Sequence, residues 1–410
     1  MTDAGAQADL LIAGGGIGGL AAALALTRQG ASVHLLEQAQ AFTEVGAGIQ
    51  LGPNVVRVLQ GWGLQSALQA VAAWPQQLQA RSALTGEVLA CLPLGAEMAQ
   101  RYGAPYATVH RADLHSLLLA AVQSEGLASL QLESVVQSFE QGPRGVRVSC
   151  VAADSAAQSL SAQALIGADG LWSRVRTLLL NDAPPRATGH LAYRVLVPQK
   201  ILPHALRCQD VMVWMGEHMH GVQYPVCGGD WLNLVVLTES QLPADAQGWD
   251  LPRSPDAVAQ DLRKALRGTC SPLQDLVRYM EGWRVWSLCE RGIVQGAHQM
   301  AQGHVALLGD AAHPMLPYLA QGAGMAIEDA QVLASAWSEQ SLAVPQRLQR
   351  YAQQRWQRNA RVQQRAQRNG QIFHSTGLMR LGRDLALRSM GARLMDIPWL
   401  YGAQLSAGKP

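Results

Sequence analysis

The pattern of apolar residues predicts a strand, a helix and a second strand at the start of this 410-residue chain. Four apolar residues at 10–13 form a buried-strand pattern. A glycine-rich turn and an alanine- and leucine-rich stretch at 18–29 follow, and Gly30 ends that stretch. Residues 33–36 repeat the buried-strand pattern immediately before Glu37. This order predicts a βαβ unit with parallel strands.

The middle of the chain follows a different pattern. Apolar and polar residues alternate in four segments, with a Gly228-Gly229-Asp230 turn between the last two: 192–197, 211–215, 221–226 and 232–237. Such alternation predicts an antiparallel sheet. Hairpins are also predicted at 81–92 and 146–165. A short strand at 305–308 and helices at 323–337 and 347–368 then resume the first pattern, so we expect an antiparallel insert in the opening domain.

Composition restricts the class of protein without identifying it. Hydrophobic residues make up 49% and charged residues 15% of the chain, the net charge is +2, and the mean hydropathy is +0.02. This balance suits a protein with a large core and gives no reason to expect nucleic-acid binding. The six cysteines form no CxxC pair, so they indicate neither a zinc site nor a dithiol redox centre.

The apolar stretch at 10–26 has to be considered as a leader or a membrane anchor. Five glycines interrupt it, it is short for a membrane span, and it has no basic flank. We interpret it as a buried strand, turn and helix. We therefore expect a cytoplasmic protein that does not bind membranes.

The glycine-rich turn carries the first chemical signal. Gly14, Gly16 and Gly19 fit GxGxxG at a strand-to-helix turn, where glycines allow the turn, a pyrophosphate and the helix to approach closely. The N-terminus of the following helix offers N–H groups to a pyrophosphate. Glu37, 18 residues after Gly19, is placed to bind ribose hydroxyls. These residues predict a dinucleotide site but do not separate NAD from FAD.

Four more motifs follow this turn in a fixed order. They are residues 46–54, HRADL at 110–114, GADG at 167–170 followed by SRVR at 173–176, and GDAAHP at 309–314 followed by QGAG at 321–324. With these motifs the chain resembles, over essentially its whole length, the single-component (group A) FAD-dependent aromatic hydroxylases. Salicylate hydroxylases, 3-hydroxybenzoate 6-hydroxylases and 6-hydroxynicotinate 3-monooxygenases belong to that group.

The resemblance implies FAD as cofactor and assigns residues to it. Arg111 matches an arginine that binds FAD, Asp169 lies in a motif near FAD, and Asp310 matches an aspartate that contacts the ribityl chain. A helix N-terminus beside the flavin favours its reduced anion, and we expect Gly322 and Gly324 to let the backbone approach it. The complete expected set is Gly14, Gly16, Gly19, Glu37, Gln38, Arg111, Asp169, Gly309, Asp310, Gly322, Ala323 and Gly324.

The predicted fold is α/β: a Rossmann-like FAD-binding domain with an inserted antiparallel-sheet substrate domain and C-terminal helices. We expect the FAD-binding domain at 1–180 and 287–345, with a hairpin near 76–105 joining the substrate domain. The substrate domain is expected at 181–286 and the C-terminal helices at 346–410.

The reaction implied by the resemblance is hydroxylation of a small aromatic acid with O₂ and NADH or NADPH, through a flavin C4a-hydroperoxide. We favour 3-hydroxybenzoate, then salicylate, then 6-hydroxynicotinate, although the motifs are common to all three groups. The choice between NADH and NADPH stays open, and no second GxGxxG follows residue 170. The alternatives are a flavin-dependent reductase on the same scaffold and a non-enzymatic flavin-binding redox sensor.

His220 and Tyr224 are the expected catalytic residues. They are four residues apart on a predicted strand and therefore share a face. The His-x-x-x-Tyr-Pro pattern resembles the pair that contacts the substrate hydroxyl in 3-hydroxybenzoate 6-hydroxylases. Our hypothesis is that His220 hydrogen-bonds or deprotonates the phenol and that Tyr224 assists. His218 is expected on the same face as a competitor, and an ordinary exposed histidine beside a packed tyrosine is the simpler alternative.

An arginine-rich segment lies near the end of the chain. Residues 347–393 contain eleven arginines and one acid. Interspersed glutamines and the nearly neutral net charge argue against a nucleic-acid or membrane helix. We expect a solvated helix that packs across both domains or forms a dimer contact, and we leave a homodimer open.

Overall fold

The computed structural model describes residues 8–42, 47–152, 157–239 and 250–404; Gly46 of the 46–54 motif and most of the segment between residues 239 and 250 lie outside these ranges. The strands are, in order, β1 Leu10–Ala13, β2 Val33–Leu36, β3 Gly48–Leu51, β4 Gln77–Ser82, β5 Val88–Pro93, β6 Ala107–His110, β7 Ala128–Gln131, β8 Ser134–Gly142, β9 Gly145–Ala152, β10 Gln158–Ala162, β11 Ala164–Gly167, β12 Arg186–Pro198, β13 Val211–Met215, β14 Met219–Val226, β15 Trp231–Glu239, β16 Asp250–Leu251, β17 Arg284–Glu290, β18 Ala301–Gln302 and β19 Val305–Leu307.

The α-helices are, in the same order, α1 Ile17–Thr27, α2 Pro53–Gly61, α3 Gln65–Val71, α4 Gly95–Tyr102, α5 Arg111–Glu125, α6 Arg174–Leu180, α7 Pro255–Ala265, α8 Ser271–Tyr279, α9 Gly322–Trp337, α10 Val344–Phe373, α11 Gly377–Met390, α12 Ala392–Met395 and α13 Pro398–Tyr401. None of the helices in the described ranges is both long enough and apolar enough to cross a membrane.

A six-stranded sheet forms the nucleotide-binding half, in the order β18-β19-β11-β1-β2-β7. All neighbours in it are parallel except β18 and β19. Its central strands are short and apolar because both faces of a parallel sheet are buried. One sequence expectation is wrong here: the hairpin predicted at 146–165 ends with β10, and Ala164–Gly167 is a separate parallel strand beside β1.

Helix α1 is buried along almost its whole length and packs against α9 and α5. Its close approach to β1 depends on Gly19, the third glycine of the GxGxxG pattern. A Cβ atom on Gly19 would lie 1.8 Å from the carbonyl oxygen of Gly14, a distance that no side chain can adopt. The glycine pattern is therefore a packing requirement of this βαβ unit.

The second sheet has eight strands in the order β16-β17-β12-β15-β14-β13-β4-β5. Its neighbours are antiparallel except β13 and β4, which are parallel. The hairpin β4–β5 forms one edge, and β17 (Arg284–Glu290) runs across the boundary expected between residues 286 and 287. The predicted fold class, a Rossmann-like domain with an antiparallel insert and C-terminal helices, is confirmed.

The two faces of this sheet have different neighbours because side chains alternate along a strand. Leu191, Tyr193 and Val195 of β12 join the core formed with α7 and α8. On the opposite face, Ala192 joins a cluster with Tyr318 from the segment before α9. The second face is therefore turned towards the nucleotide-binding half.

Helix α10 connects the two halves over 30 residues. Buried Arg355 pairs with Asp329 (Nε to Oδ1, 2.6 Å) and Glu328 (Nη1 to Oε2, 2.9 Å), and Arg358 also pairs with Glu328 (2.7 Å). Two acids are thus matched by two arginines where α9 meets α10. Desolvation opposes ionisation, but the neighbouring positive charges keep the pKa of both acids below their ordinary values.

The expectation of a solvated arginine-rich face is wrong for part of the segment. Arg347, Arg355 and Arg383 are each less than a tenth exposed. Arg347 donates to the carbonyls of Leu342, just before α10, and Trp337, at the end of α9, and Arg383 donates to the carbonyl of Phe373 at 2.9 Å. A sequence pattern does not show which arginines of a long helix will meet buried acceptors.

Replacing Arg355 with methionine is expected to lower the free energy of unfolding by about 3–5 kcal/mol, because it leaves two buried carboxylates undercompensated. Urea titration followed by circular dichroism measures the change. The matched control on the same helix is Arg350→Met, since Arg350 forms an exposed pair with Glu339 and should cost about 1 kcal/mol or less. Equal losses in the two variants would contradict the structural role of the buried pair.

Candidate cofactor and substrate site

The sequence motifs meet at one edge of the six-stranded sheet, where parallel strands end. Gly14 follows β1, Glu37 follows β2, the GADG segment closes β11, and Gly309 lies just after β19. Backbone hydrogen bonds join these ends: Gly14 N donates to Leu36 O at 2.8 Å, and Ala168 N donates to Ala13 O at 2.8 Å. The carboxyl edge of such a sheet is where a dinucleotide binds.

The first turn is shaped for an anion. Gly14 has a φ of +105°, and a Cβ there would lie 2.4 Å from the Ala168 carbonyl oxygen. Gly16 precedes α1, whose N-terminus has no side-chain cap and no acid in its first turn. Its N–H groups are therefore suited to a pyrophosphate.

Glu37 holds this turn as well as facing the cleft edge. Its carboxylate accepts hydrogen bonds from Gly15 N at 2.5 Å and Ala39 N at 2.8 Å. Gln38, the next residue, is exposed. Contacts of Glu37 and Gln38 with a ribose stay predictions.

Asp310 lines a cleft beside the same edge. Its side chain is accessible, yet enough protein surrounds it that desolvation raises its pKa, while the charge of Arg111 acts in the opposite sense. Arg111 begins α5, and its backbone N donates to Ala47 O at 3.0 Å. An accessible acid near an arginine suits the hydroxyl groups and phosphates of an elongated cofactor.

Helix α9 begins beside Asp310. A Cβ on Gly322 would lie 3.9 Å from Asp310 Oδ1, and the helix N-terminus has no side-chain cap. Gly322 and Ala323 are partly exposed there. A Cβ on Gly324 would lie 2.7 Å from Val55 of α2, so its lack of a side chain also lets α2 pack on α9. The expected approach of the Gly324 backbone to the flavin stays a prediction.

Two other residues of the motifs have structural partners. Asp169 accepts hydrogen bonds from Ser173 Oγ (2.5 Å), Arg174 N (2.8 Å) and Val175 N (3.0 Å), so it caps α6. His313 is fully buried, and its Nε2 lies 2.5 Å from Asp329 Oδ2. A direct cofactor contact of Asp169 stays a prediction.

Tyr224 joins the eight-stranded sheet to the glycine-rich segment that contains Gly48. Its hydroxyl donates to Gly48 O at 2.7 Å, and Gly48 N donates to Asn233 Oδ1 at 2.8 Å. A Cβ on Gly48 would lie 2.4 Å from the tyrosine ring. Burial raises the pKa of Tyr224, so a neutral phenol holds β3 against β14.

His220 lies on the same face of β14 and is 1% exposed. Its Nδ1 is 2.8 Å from Nε2 of His374, and the rings of Phe373 and Tyr318 lie 5.1 and 5.3 Å away. Burial lowers the pKa of His220 well below its ordinary value, which leaves a neutral imidazole at neutral pH. The alternative of an exposed histidine at this position is wrong.

His218 does not share that face. It lies in a turn with a φ of +55°, its side chain is 65% exposed, and its Nδ1 is 2.7 Å from Glu239 Oε2. The alternation of side chains along a strand does not extend to His218, because β14 begins one residue later, at Met219.

Arg194 is a site residue that the sequence analysis missed. It aligns with Val235 of β15, which aligns with Val222 of β14, so Arg194 is on the face that carries His220 and Tyr224. Its guanidinium lies 4.2 Å from the centre of the Trp286 ring, and its buried Nε has no hydrogen-bond partner among the described residues. Burial lowers its pKa to about 10. The only sequence signal was an arginine inside an otherwise apolar strand.

Comparison with known proteins agrees with this geometry. A family model described as an FAD binding domain matches residues 7–366. The chain is 36% identical to 3-hydroxybenzoate 6-hydroxylase of Polaromonas naphthalenivorans over 404 residues, covering 98% of each chain. It is 35% identical to 6-hydroxynicotinate 3-monooxygenase of Pseudomonas fluorescens, covering 80% of this chain and 82% of the relative.

The fold has a counterpart among solved structures. A crystal structure of Klebsiella pneumoniae HpxO complexed with FAD and uric acid superposes with a TM-score of 0.81 and 25% identity, covering 94% of each chain. The resemblance inferred from the motifs is thus confirmed, and the accessible Asp310, the uncapped N-termini of α1 and α9 and the glycine turn fit FAD. The chain belongs to the family of FAD-dependent aromatic hydroxylases and is an FAD-binding monooxygenase of that family.

Proposed function

We propose that this enzyme hydroxylates a small aromatic acid that carries a phenolic hydroxyl, with 3-hydroxybenzoate as first candidate, followed by salicylate and 6-hydroxynicotinate. O₂ is the oxidant and NADH or NADPH the hydride donor. The observation that carries the proposal is a neutral, buried histidine and an under-paired arginine on one sheet face. A phenolic acid presents the two complementary groups, a hydroxyl and a carboxylate. The 36% identical 3-hydroxybenzoate 6-hydroxylase supports this order.

FAD, when bound, supplies the oxygen-transfer chemistry, and the chain supplies binding and proton control. The residues proposed to hold FAD are Gly14, Gly16, Gly19, Glu37, Gln38, Arg111, Asp169, Gly309, Asp310, Gly322, Ala323 and Gly324. Gly324 also lets α2 pack on α9. We retain the expected domain division as part of the proposal, except that the boundary at 286–287 moves to the end of β17 at Glu290. The substrate is placed between the eight-stranded sheet and the FAD-binding residues.

His220 is proposed to accept the phenolic proton. Loss of that proton raises electron density on the ring carbons ortho and para to the oxygen, and these are the positions an electrophilic oxygen attacks. A neutral imidazole can accept a proton, whereas an imidazolium cannot. The desolvated surroundings that lower the pKa of His220 therefore keep it in the reactive form.

Arg194 is proposed to bind the carboxylate. Arg194 is partly exposed, and its buried Nε, which has no partner among the described residues, gains a charge-assisted hydrogen bond when a carboxylate enters. Trp286 supports its planar group from one side. Tyr224 acts as a positioning residue, since its proton is donated to Gly48 O and only its lone pairs are available to a substrate hydroxyl.

The first test is a substrate panel combined with His220→Ala. Oxygen uptake coupled to product formation is expected to be highest with 3-hydroxybenzoate, and His220→Ala should lower that coupled rate by roughly 100-fold or more. FAD content, read from the visible absorbance, should not change. His204→Ala, an exposed histidine of the same region, is the matched control. A coupled rate in His220→Ala equal to that of the control would remove the proposed base.

The second test concerns the carboxylate. Arg194→Met keeps an unbranched apolar stem and removes the charged group, so KM for 3-hydroxybenzoate should rise about 30-fold or more. For the uncharged 3-hydroxybenzamide, KM should change little. Arg186→Met, an exposed arginine on the same strand, serves as control. If acid and amide lost affinity equally, the assignment of Arg194 to the carboxylate would be wrong.

A further inference from the structure

A continuous row of polar side chains leads from the proposed base to the protein surface. His220 Nδ1 lies 2.8 Å from His374 Nε2, and His374 Nδ1 lies 3.2 Å from Glu239 Oε1. His218 Nδ1 lies 2.7 Å from the other oxygen of Glu239. His220 and His374 are 1% and 5% exposed, whereas the side chain of Glu239 is 40% exposed. The row therefore begins in the buried site and ends at solvent.

The hydrogens along this row can be assigned from its outer end. Desolvation opposes ionisation of Glu239, but hydrogen bonds from His218 and His374 lower its pKa, so its carboxylate is ionised at neutral pH and only accepts hydrogen bonds. Nδ1 of His374 must then carry the hydrogen of that bond. Burial lowers the pKa of His374 to about 4, so the ring is neutral and its Nε2 is an acceptor.

The same reasoning continues to the base. Because His374 Nε2 accepts, His220 Nδ1 must donate. His220 is neutral as well, so its single hydrogen is on Nδ1 and its Nε2 has a free lone pair. The hydrogen bond made by one ring nitrogen sets the state of the other.

We propose that Glu239 and His374 are positioning residues that hold His220 in the tautomer with a basic Nε2 and carry the phenolic proton to solvent. This rests on the proposed role of His220. The substrate O–H bond breaks and its proton binds His220 Nε2. The Nδ1 proton of His220 moves to His374 Nε2, and the Nδ1 proton of His374 moves to Glu239, which releases it to water. One proton returning along the same bonds to the product phenolate restores the starting tautomers.

The groups around His374 disfavour a charged imidazolium there, so the proton is passed on to Glu239. From β12, His190 stacks on His374 with ring centres 5.1 Å apart, and its Nδ1 binds the hydroxyl of Tyr318. Burial lowers the pKa of His190, and the charges of Glu239 and of Glu290 on β17 act in the opposite sense. Arg383 of α11 binds the carbonyl of Phe373, next to His374. A charged His374 would thus face a desolvated stack of rings and a nearby cation, so the proton has no stable position before Glu239.

The test compares His374→Phe and Glu239→Gln with the wild-type FAD-loaded enzyme. Hydroxylation of 3-hydroxybenzoate should fall about 10–100-fold in both variants, with FAD content and the Kd of 3-hydroxybenzoate within about threefold. The distinguishing measurement is NMR of 3-hydroxybenzoate labelled with ¹³C at the hydroxyl-bearing carbon. The pH at which the bound phenol ionises should rise by about one unit or more in both variants.

The control is His204→Phe, which changes an exposed histidine outside the hydrogen-bonded row; its bound phenol should ionise as in the wild type. If His374→Phe does not fold, Glu239→Gln, at an exposed position, still decides the question. If the bound phenol ionised as in the wild type and the hydroxylation rate were unchanged in both His374→Phe and Glu239→Gln, while His220→Ala was slow, the proposed role of His374 and Glu239 would be wrong and the role of His220 as base would stand. A wild-type rate in His220→Ala would instead overturn the proposed function.

Discussion

Neutralisation of buried charge where α9 meets α10 is the constraint on which the rest of this structure depends. Glu328 and Asp329 are fully buried, and an isolated carboxylate there would cost several kcal/mol. Arg355 and Arg358 compensate them only in one register of the two helices. Asn54 of α2 donates to Glu328 at 2.8 Å, so a third helix is held by the same charges.

That register determines what the rest of α10 touches. Farther along the helix, Gln363 donates to Pro314 O at 2.9 Å and Asn369 donates to Tyr318 O at 3.0 Å. These bonds order the segment between β19 and α9, which packs on one face of the eight-stranded sheet. The helix ends at Phe373, so His374 meets His220 immediately after it. One ion-paired interface therefore links the cofactor edge, the covering segment and the proposed base.

The eight-stranded sheet separates two tasks by alternation. One face supplies leucines, valines and a tyrosine to the core with α7 and α8. The other carries His220, Tyr224 and Arg194, polar groups that are tolerated in a buried place only when they are paired or bind a ligand. The same strands therefore supply core residues on one face and present the proposed catalytic and binding residues to the FAD-binding half on the other.

The sequence by itself determined the local features. Short apolar runs, glycine turns and the order of motifs were enough to predict β1, α1 and β2, the FAD-dependent hydroxylase family, and a shared face for His220 and Tyr224. The strands, the helix and the shared face depend on contacts within a few residues and on periods of 2 and 3.6, whereas the family followed from the resemblance that the ordered motifs carry. The need for glycine at positions 14 and 19 could also be predicted from the sequence, since these two residues contact each other and are only five positions apart.

Only the tertiary structure decided the long-range partners. His220 and His374 are 154 residues apart in the chain, and no period connects them. The parallel β13–β4 pair, the burial of Arg355 and the packing of Gly324 against Val55 likewise depend on which elements become neighbours. A periodic pattern tells which face of an element is buried, but not against what, because the partner is chosen by the packing of the whole molecule.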